Sequence, residues 1–509
     1  MSPGRPLTRR AEAHADRVAL REGELRVSYR QLLAAADAAA CGLLARAGGN
    51  DLRGERVAIL LASGIDWVRS VWGVWRAGGI AVPLCVSHPV PELAYVMRDC
   101  GATALVADPE HAERGGRAAE ACGLPVWPAD ELAASAPPAP PRDEPERGAL
   151  IVYTSGTTGG PKGALHTHRS LAAQVDALLA AWGWSADDRT VNVLPLHHVH
   201  GVVNVVGCAL AAGARCEMLS RFEPDELWER FSTGELTLFM AVPTVYARLL
   251  AAWEQAPPER RARWSAGARA LRLMVSGSAA LPVSMLERWE TVTGHRLLER
   301  YGMTETGMIL SNPLDGERVP GAVGTPLPGI EVRFAGGGER CAENEDPRAL
   351  QGEIEVRGPA LFAEYWRREE ATREAFTADG WFRTGDVGVF EHGRYRLLGR
   401  SSVDILKTGG YKVSALEIEE VLRTHPAIAE VAVVGVADEE WGERVAAAVV
   451  LRPGAGLELD ELREWSKQRL APYKAPTLLR VVDELPRNTL GKITKPQVAE
   501  LFAREPGGR

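Results

Sequence analysis

Apolar residues near the N-terminus alternate between a short continuous run and a helical period. Residues 57–61 (Val-Ala-Ile-Leu-Leu) form an apolar run that is typical of a buried strand. Residues 65–77 then place apolar side chains three and four positions apart, at Val68, Val71, Trp72 and Trp75. Two glycines at 78–79 end this pattern, and residues 80–83 form a second apolar run. The pattern predicts a βαβ unit, from which parallel sheets are built.

The same alternation continues further along the chain. A helix from Pro91 and a strand at 104–107 repeat the unit. Further along, Ser170 is predicted to cap a helix whose apolar face contains Leu171, Val175, Leu178 and Trp182. Other apolar runs that predict strands are residues 149–152, 191–194, 236–240 and 271–275. Residues 133–145 are rich in proline and alanine and predict a surface loop. We therefore expect an α/β protein whose large N-terminal domain contains layered, mostly parallel sheets covered by helices.

The pattern changes after about residue 399. Helices are predicted at 415–423 and 459–470, with strands at 430–436 and 445–451. This arrangement is typical of a small α+β domain of about a hundred residues. The predicted organisation is therefore an N-terminal domain at 1–400 and a C-terminal domain at 401–509.

Size, charge and cysteine content restrict the class of protein. A chain of 509 residues exceeds what one hydrophobic core normally serves. The net charge of −8 argues against general nucleic-acid binding, and no apolar stretch is long enough to span a bilayer. Seven cysteines without a C-x-x-C pair are typical of reduced core residues. We expect a cytoplasmic monomer or weak homodimer, with the remnant of an organelle presequence as the alternative for the first residues.

A stretch rich in glycine and hydroxyl groups follows the predicted strand at 149–152. Residues 153–163 (Tyr-Thr-Ser-Gly-Thr-Thr-Gly-Gly-Pro-Lys-Gly) combine free backbone N–H groups, hydroxyls and the charge of Lys162. Such a loop can surround a phosphate, because glycine lets the backbone approach closely. It differs from the common P-loop, since Pro161 precedes the lysine and Gly163 follows it. A flexible surface loop is the alternative.

Three other short motifs carry groups that suit a nucleotide. Thr304 and Glu305 place a hydroxyl beside a carboxylate, which suits Mg²⁺ next to phosphates, and Tyr301 offers a flat face for a base. Asp386 follows a Thr-Gly turn and can accept from both ribose hydroxyls, and Lys492 follows a glycine. Each motif alone has an ordinary explanation as a solvated pair, a turn acid or a surface lysine.

The order and spacing of the motifs resemble the acyl-adenylate-forming superfamily over nearly the whole chain. The glycine-rich loop, Tyr-Gly-Met-Thr-Glu at 301–305, Thr-Gly-Asp at 384–386, Gly-Arg at 399–400 and Gly-Lys at 491–492 occur in that order. This group contains acyl-CoA synthetases, peptide-synthetase adenylation domains and firefly luciferase. The resemblance implies a reaction with ATP, Mg²⁺ and coenzyme A. A carboxylate attacks the α-phosphate of ATP, acyl-AMP and pyrophosphate form, and a thiol then displaces AMP.

The resemblance also implies a role for each matching residue. The residues implied to bind phosphates are Thr154, Ser155, Gly156, Thr157, Thr158, Gly159 and Lys162. Those implied to bind the nucleoside are Ser278, Ala279, Ala280, Tyr301, Gly302, Met303, Thr304, Asp386 and Arg400. Thr158 and Glu305 are implied metal ligands, and Gly409 and Gly410 are implied to reach the pantetheine arm of CoA. The implied catalytic set is Thr154, His198, Glu305 and Lys492, where Lys492 bridges the reacting carboxylate and the α-phosphate.

A mobile C-terminal domain is part of the same resemblance. In that superfamily the small domain rotates between the two half-reactions on a hinge just after the Gly-Arg pair, here near Ser401 and Ser402. Rotation removes Lys492 and brings the glycines at 409–410 to the pantetheine arm. Relatives commonly have aspartate or lysine at the hinge, so the serine pair leaves the pivot itself open.

Within the superfamily, four stretches resemble malonyl-CoA and methylmalonyl-CoA synthetases. These stretches are residues 194–201, 275–282, 300–305 and 319–329. His198 matches the gate of the acyl site, and His200 and Ser276 are assigned to the substrate. Arg300 stands where many relatives have glycine, and a cation on the pocket floor suits a second carboxylate. A structural ion pair with Glu299 is the alternative for Arg300.

Three other functions are weighed against a dicarboxylate ligase. A ligase for short- or medium-chain monocarboxylates would need an apolar pocket floor, against which Arg300 argues. In a peptide-synthetase adenylation domain a Phe-Asp pair commonly holds the amino group, and residues 197–198 are both histidine here. A nucleotide sensor without activity would be free to lose Lys492 or Glu305, and both are present. Malonate and methylmalonate are not separated, since one methyl group is worth about 1–3 kcal/mol.

Overall fold

This computed structural model describes residues 5–132, 144–154, 160–340, 346, 349–408, 411–438, 441–487 and 492–503. Most of the predicted surface loop at 133–145 lies outside the described residues. So do seven residues with predicted roles: Ser155, Gly156, Thr157, Thr158, Gly159, Gly409 and Gly410.

The predicted βαβ unit lies at the centre of a seven-stranded sheet in the described part of the chain. Its strands, in spatial order, are Glu364–Tyr365, Lys162–Thr167, Gly148–Thr154, Ile80–Pro83, Arg56–Leu60, Ala102–Ala107 and Val126–Pro128. The pairs from Gly148–Thr154 through Val126–Pro128 are parallel, and the two remaining pairs are antiparallel. The predicted parallel sheet is therefore confirmed.

Strand Arg56–Leu60 is buried on both faces, which explains its continuous apolar sequence. Successive side chains point to opposite faces, so Val57 and Ile59 enter one hydrophobic core while Ala58 and Leu60 enter another. Helix Ile65–Arg76 covers the first face and helix Val90–Cys100 covers the second.

A second sheet carries the predicted substrate residues. Its described strands are Leu238–Ala241, Leu273–Ser276, Leu298–Met303, Gly307–Ser311 and Thr325–Pro326. The first three are parallel and the last two are antiparallel additions. Trp228, Trp264 and Trp289, from three helices beside this sheet, stack in a core of their own.

Two smaller sheets complete the part of the chain before residue 401. One contains Leu25–Ser28, Val18–Glu22, Arg215–Met218 and Arg189–Asn192. The other is antiparallel and contains Glu331–Phe334, Leu350–Arg357, Phe382–Glu391 and Arg394–Arg400, with Glu339–Arg340 on its side. This last sheet places Asp386 opposite Arg400.

The described α-helices before residue 401 are Leu7–Ala11, Tyr29–Ala47, Ile65–Arg76, Val90–Cys100, Ala112–Glu120, His168–Ala181, Cys208–Ala212, Pro224–Ser232, Pro243–Gln255, Pro258–Arg269, Val283–Thr293 and Glu369–Ala375. Short 3₁₀ turns occur at Glu12–His14, Ala129–Glu131 and Ala335–Gly337, and a π-helix spans His200–Gly207. None of the helices within the described segments is long and apolar enough to cross a membrane.

The predicted cap of helix His168–Ala181 is wrong by three residues. The Thr167 hydroxyl accepts from the backbone N–H of Ser170 at 3.1 Å, and the Ser170 hydroxyl accepts from the N–H of Thr167 at 3.1 Å. Ser170 is thus the second member of a reciprocal capping box, while Thr167 is the cap. The predicted apolar face of this helix is buried as expected.

The residues after 404 form an α+β unit. Its strands are Tyr411–Ser414, Ile405–Thr408, Gly442–Leu451, Ile428–Asp438 and Leu478–Val481. Its helices are Ala415–Arg423, Leu459–Lys467 and Lys495–Ala503, with a 3₁₀ turn at Pro472–Lys474. The predicted fold class is confirmed, with element ends that move by up to three residues; the boundary at 400/401 stays a prediction.

Candidate active site

The residues predicted to bind the substrate meet where the parallel strands of the second sheet end. Ser276 is the last residue of Leu273–Ser276 and pairs with Glu299 on the next strand. Arg300 follows Glu299, and its guanidinium lies against Gly277, where an added Cβ would come 2.5 Å from Cζ. We call His200, Ser276, Gly277 and Arg300 the arginine pocket. Open α/β sheets bind ligands at this edge.

The polar side chains of the arginine pocket have buried atoms without hydrogen-bond partners among the described residues. These atoms are Nε and Nη2 of Arg300, Oγ of Ser276 and Nε2 of His200. Arg300 is only 4% exposed and Ser276 is fully buried. Buried polar groups are normally paired, and a buried unpaired charge costs several kcal/mol. The pocket therefore offers several buried polar atoms to a ligand that accepts hydrogen bonds.

The alternative that Arg300 forms a structural ion pair with Glu299 is wrong. Glu299 Oε2 accepts from the backbone N–H of Gly321 at 3.1 Å, and no described carboxylate lies within ion-pair distance of Arg300. Neighbouring residues of a strand point to opposite faces, which separates the two side chains. Burial raises the pKa of Glu299 to about 8 and lowers the pKa of Arg300 to about 9.

Two histidines border the pocket. His200 begins the π-helix His200–Gly207, an irregularity that often marks functional sites. Its Nδ1 lies 3.1 Å from the Ser278 hydroxyl, and Ser278 adopts a φ of 68°, which costs a non-glycine residue about 1–3 kcal/mol. Burial lowers the pKa of His198 to about 4, and burial with the charge of Arg300 lowers that of His200. Both rings are therefore neutral at neutral pH.

The residues predicted to hold the ribose are brought together by two antiparallel strands. Asp386 pairs with Arg400 in the ladder, and Arg400 Nε lies 2.9 Å from Asp386 Oδ1. The Tyr301 hydroxyl donates to Asp386 Oδ2 at 2.5 Å. Burial raises the pKa of Asp386, while these two partners oppose that effect. The carboxylate is thus held in one orientation and keeps further lone pairs for ribose hydroxyls.

The predicted metal ligand Glu305 is buried beside the strand that follows the glycine-rich loop. Its Oε1 accepts from the Tyr365 hydroxyl at 2.9 Å, and the Lys162 Nζ lies over the Tyr365 ring, 5.3 Å from its centre. Burial raises the pKa of Glu305, whereas the Tyr365 hydrogen bond and the charge of Arg400 lower it. A nearby cation would favour the ionised form further.

These residues fit Mg²⁺ held mainly by nucleotide phosphates. Nowhere in the described segments do three or more His, Cys, Asp or Glu side chains gather into a metal cage. A single buried carboxylate is nevertheless what Mg²⁺ commonly uses beside a nucleotide, because the ion retains water and phosphate ligands. The predicted partner Thr158 lies outside the described residues.

The turn that carries Thr304 and Glu305 is held from both sides. His166 Nε2 donates to the carbonyl oxygen of Thr304 at 2.8 Å, and Phe362 N–H donates to that of Glu305 at 2.7 Å. Burial lowers the pKa of His166 to about 4, so the ring is neutral. At Gly302 an added Cβ would come 2.2 Å from a backbone oxygen, which requires glycine.

The other predicted nucleotide residues occupy strand ends and loops. Thr154 and Lys162 are paired across two antiparallel strands. Ala279 and Ala280 are exposed after Ser278, and Met303 is half-buried. The roles assigned to these residues stay predictions.

Lys492 reaches this site from the C-terminal unit. Its side chain is exposed to solvent, yet the surrounding protein lowers its pKa by desolvation, together with the charges of Arg300 and Arg400. Lys492 in turn lowers the pKa values of His198 and His200. The charge of Lys492 therefore acts on Arg300, Arg400 and both histidines.

Two residues at the site were not predicted from the sequence. Tyr365 and His166 contact Glu305 and Thr304, from which they are 60 and 138 positions distant in the chain. Neither belongs to a short motif, and sequence spacing alone gave no indication of these contacts.

Comparisons with known proteins decide the family. A family model described as AMP-binding enzyme matches residues 7–366, and one described as AMP-binding enzyme C-terminal domain matches residues 417–492. The chain belongs to the AMP-binding enzyme family. The predicted membership in the acyl-adenylate-forming superfamily is therefore confirmed.

Similar proteins in this family have been characterised or solved. The chain is 46% identical to the mitochondrial malonate–CoA ligase of Mus musculus, over 97% of this chain and 90% of that one. ATP-bound MatB of Rhodopseudomonas palustris is 34% identical, with a TM-score of 0.87 over 98% and 99% of the two chains. A malonyl-CoA ligase product complex with methylmalonyl-CoA and AMP is 40% identical, with a TM-score of 0.67 over 93% and 98%. The expected cytoplasmic location stays a prediction, since the mouse relative is mitochondrial.

Proposed function

We propose that this protein is an AMP-forming acid–thiol ligase that joins malonate, or its methyl derivative, to coenzyme A. The reaction consumes ATP and proceeds through an acyl-adenylate, with release of pyrophosphate and AMP. The small-molecule reactants are thus ATP, CoA and a short dicarboxylate.

The observation that carries this proposal is the unpaired guanidinium of the arginine pocket. When one carboxylate of malonate faces the α-phosphate, the other must enter the protein. Arg300 offers two buried N–H-bearing atoms without partners, and Ser276 and His200 add polar atoms beside them. A carboxylate is the group that matches a guanidinium in both charge and geometry. A fatty acid would leave all these atoms unsatisfied.

The comparisons support the same reaction. The relative from Mus musculus is named as a malonate–CoA ligase, and one solved relative holds methylmalonyl-CoA and AMP. The match to each of these two relatives covers at least nine-tenths of this chain.

In the first half-reaction an oxygen of the free carboxylate attacks the α-phosphorus of ATP. A new O–P bond forms, the bond to the β-phosphate breaks, and pyrophosphate leaves. Two anions meet in this step, so positive charge must lie at the α-phosphate. Lys492 supplies it, while Arg300 holds the distal carboxylate so that the reacting oxygen stays in line.

The nucleotide is bound by the residues on the other side of the site. Lys162 and the glycine-rich loop neutralise the phosphates, Asp386 accepts from the ribose hydroxyls, and Tyr301 lies beside the base. Glu305 would hold Mg²⁺, whose charge compensates that of the leaving pyrophosphate.

In the second half-reaction the thiol of CoA attacks the acyl carbon and loses its proton. A C–S bond forms, the C–O bond to AMP breaks, and AMP leaves. We infer that residues 401–509 form a domain that rotates at Ser401 or Ser402 for this step. In the present arrangement the Ser401 hydroxyl donates to the carbonyl oxygen of Gly385 at 3.0 Å, directly after strand Arg394–Arg400 ends.

The structural comparisons support this inference about rotation. The ATP-bound relative has the higher TM-score, 0.87, although the CoA-product relative has the higher sequence identity. A higher sequence identity together with a lower TM-score is expected when one domain has rotated relative to the other. The influence of the Lys492 charge on the pKa values of His198 and His200 agrees with the arrangement for adenylation.

The test is release of pyrophosphate and AMP with ATP, Mg²⁺ and CoA over a panel of acids. Malonate and methylmalonate are expected to exceed butyrate and acetate by at least tenfold in kcat/KM, with the thioester identified by mass. Higher turnover of butyrate would favour the monocarboxylate ligase. Pyrophosphate release without any CoA-dependent product would favour a different acceptor.

A further inference from the structure

One side chain contacts both Glu305 and Lys162, the residues assigned above to Mg²⁺ and to the phosphates of ATP. Tyr365 donates its hydroxyl hydrogen to Glu305 Oε1 at 2.9 Å. The face of the same ring lies under the Lys162 ammonium, with 5.3 Å between Nζ and the ring centre. Because a phenol has one hydroxyl and one ring, Tyr365 uses a different part for each neighbour.

The position of Tyr365 is fixed from several directions. Its backbone pairs with Ala164, two residues after Lys162, in the seven-stranded sheet. Its ring meets that of Phe362 edge-on at 4.8 Å, and the backbone N–H of Phe362 donates to the carbonyl oxygen of Glu305. The short segment from 362 to 365 therefore joins the turn of Glu305 to the strand of Lys162.

We propose that Tyr365 is a positioning residue that aligns Glu305 and Lys162 for magnesium-bound ATP. The hydroxyl donates a hydrogen bond to Oε1 of Glu305, so that Oε2 would be the carboxylate oxygen that binds the cation. The ring restricts the ammonium of Lys162 by a cation–π contact. This role rests on the proposed function, because it assumes that the site binds ATP with Mg²⁺.

A purely structural role is the competing explanation, since Tyr365 also packs with Phe362. Tyr365→Phe separates the two, because it keeps the ring, its packing and its contact with Lys162, and removes only the hydroxyl. Tyr365→Leu removes the ring as well. Tyr29→Phe is a matched control, since the buried Tyr29 hydroxyl donates to the carbonyl oxygen of Ala214 at 2.7 Å, beside a sheet that contains neither Lys162 nor Glu305.

Two measurements test the proposal in the full-length protein. Calorimetry gives the affinity for ATP with Mg²⁺ and with EDTA, without any acid substrate. Steady-state assays give the half-saturating Mg²⁺ concentration at fixed ATP and the KM for malonate. A thermal melt of each variant shows that it is folded.

Tyr365→Phe is expected to raise the half-saturating Mg²⁺ concentration and weaken binding of magnesium-bound ATP by about tenfold, the usual effect of losing a hydrogen bond to a charged group. Binding of ATP in EDTA and the KM for malonate should change less than twofold. Tyr365→Leu should also weaken binding of ATP in EDTA, by about two- to fivefold. Tyr29→Phe should match the wild type in affinity for ATP, in Mg²⁺ dependence and in the KM for malonate.

An unchanged Mg²⁺ dependence in Tyr365→Phe would overturn the proposal, and so would equal losses for ATP in EDTA and for malonate. An effect of Tyr29→Phe on the Mg²⁺ dependence as large as that of Tyr365→Phe would also overturn it. If Tyr365→Leu does not fold, the phenylalanine variant decides alone. Failure of the wild type to ligate malonate would refute the proposed function, while the calorimetric comparison would still decide the role of Tyr365.

Discussion

Removing the guanidinium of Arg300 is the change that separates dicarboxylate from monocarboxylate chemistry. Arg300→Leu keeps an apolar side chain against Gly277 and deletes the charge, and Arg300→Lys keeps a charge without the planar fork. The leucine variant should lose malonate activity and retain or gain activity with butyrate. The lysine variant should recover part of the malonate activity, because one ammonium does not reproduce a bidentate pair.

The size of the effect follows from the burial of Arg300. Burial lowers its pKa to about 9, because the charged guanidinium loses the free energy of its hydration. A bound carboxylate recovers part of this free energy. Breaking a buried charge pair costs about 2–5 kcal/mol, so kcat/KM for malonate should fall about 30- to 4,000-fold.

The assay is pyrophosphate release with malonate and with butyrate, for the wild type and both variants. Because the unliganded pocket contains a buried charge without a partner, Arg300→Leu should also raise the melting temperature in the absence of substrate. Malonate should raise the melting temperature of the wild type and not of Arg300→Leu. Equal loss with both acids would refute the reasoning and make Arg300 a structural residue.

Three further predictions concern other groups at the site. Lys492→Ala should abolish adenylation and spare transfer from preformed malonyl-AMP to CoA, as measured by pyrophosphate exchange and thioester formation; equal loss of both steps would contradict the rotation. Glu305→Gln should keep the fold, by circular dichroism, and lower kcat/KM at limiting Mg²⁺ by more than tenfold; normal turnover there would remove Glu305 as the metal ligand. Glu299→Gln should stabilise the protein more at pH 8.5 than at pH 5.5 in thermal melts. The reason is that the pKa of Glu299 is about 8 in the folded protein and ordinary when unfolded, so stability is lost as the pH rises between these values; equal effects at both pH values would argue against a protonated Glu299.

The helices and strands were predicted well from the sequence where burial imposed a clear pattern of apolar residues. Strand Ile80–Pro83 and helix Ala415–Arg423 have the predicted bounds, because glycines or a capping serine limit them. Ser170 was mistaken for a cap, since a capping box places hydroxyls at both of its ends and the sequence does not say which comes first.

Only those residues of the candidate site that belong to recognisable motifs could be predicted from the sequence. Arg300 was found because it departs from a familiar pattern, but its lack of a partner is a property of the folded chain. Tyr365 belongs to none of the short motifs named above. Its hydroxyl reaches Glu305 because its strand pairs with strand Lys162–Thr167, which is distant in the sequence. Contacts of this kind depend on tertiary packing, which local periodicity does not encode.

The contact between Arg300 and Gly277 has a consequence for how substrate range can evolve. A methyl group at 277 would force the guanidinium to move, and so would displace the group that we propose to hold the distal carboxylate. Once position 300 becomes small, the same methyl group has room and would narrow an apolar pocket. We therefore expect the effects of substitutions at the two positions to depend on each other, with alanine at 277 disturbing malonate binding only while Arg300 is present.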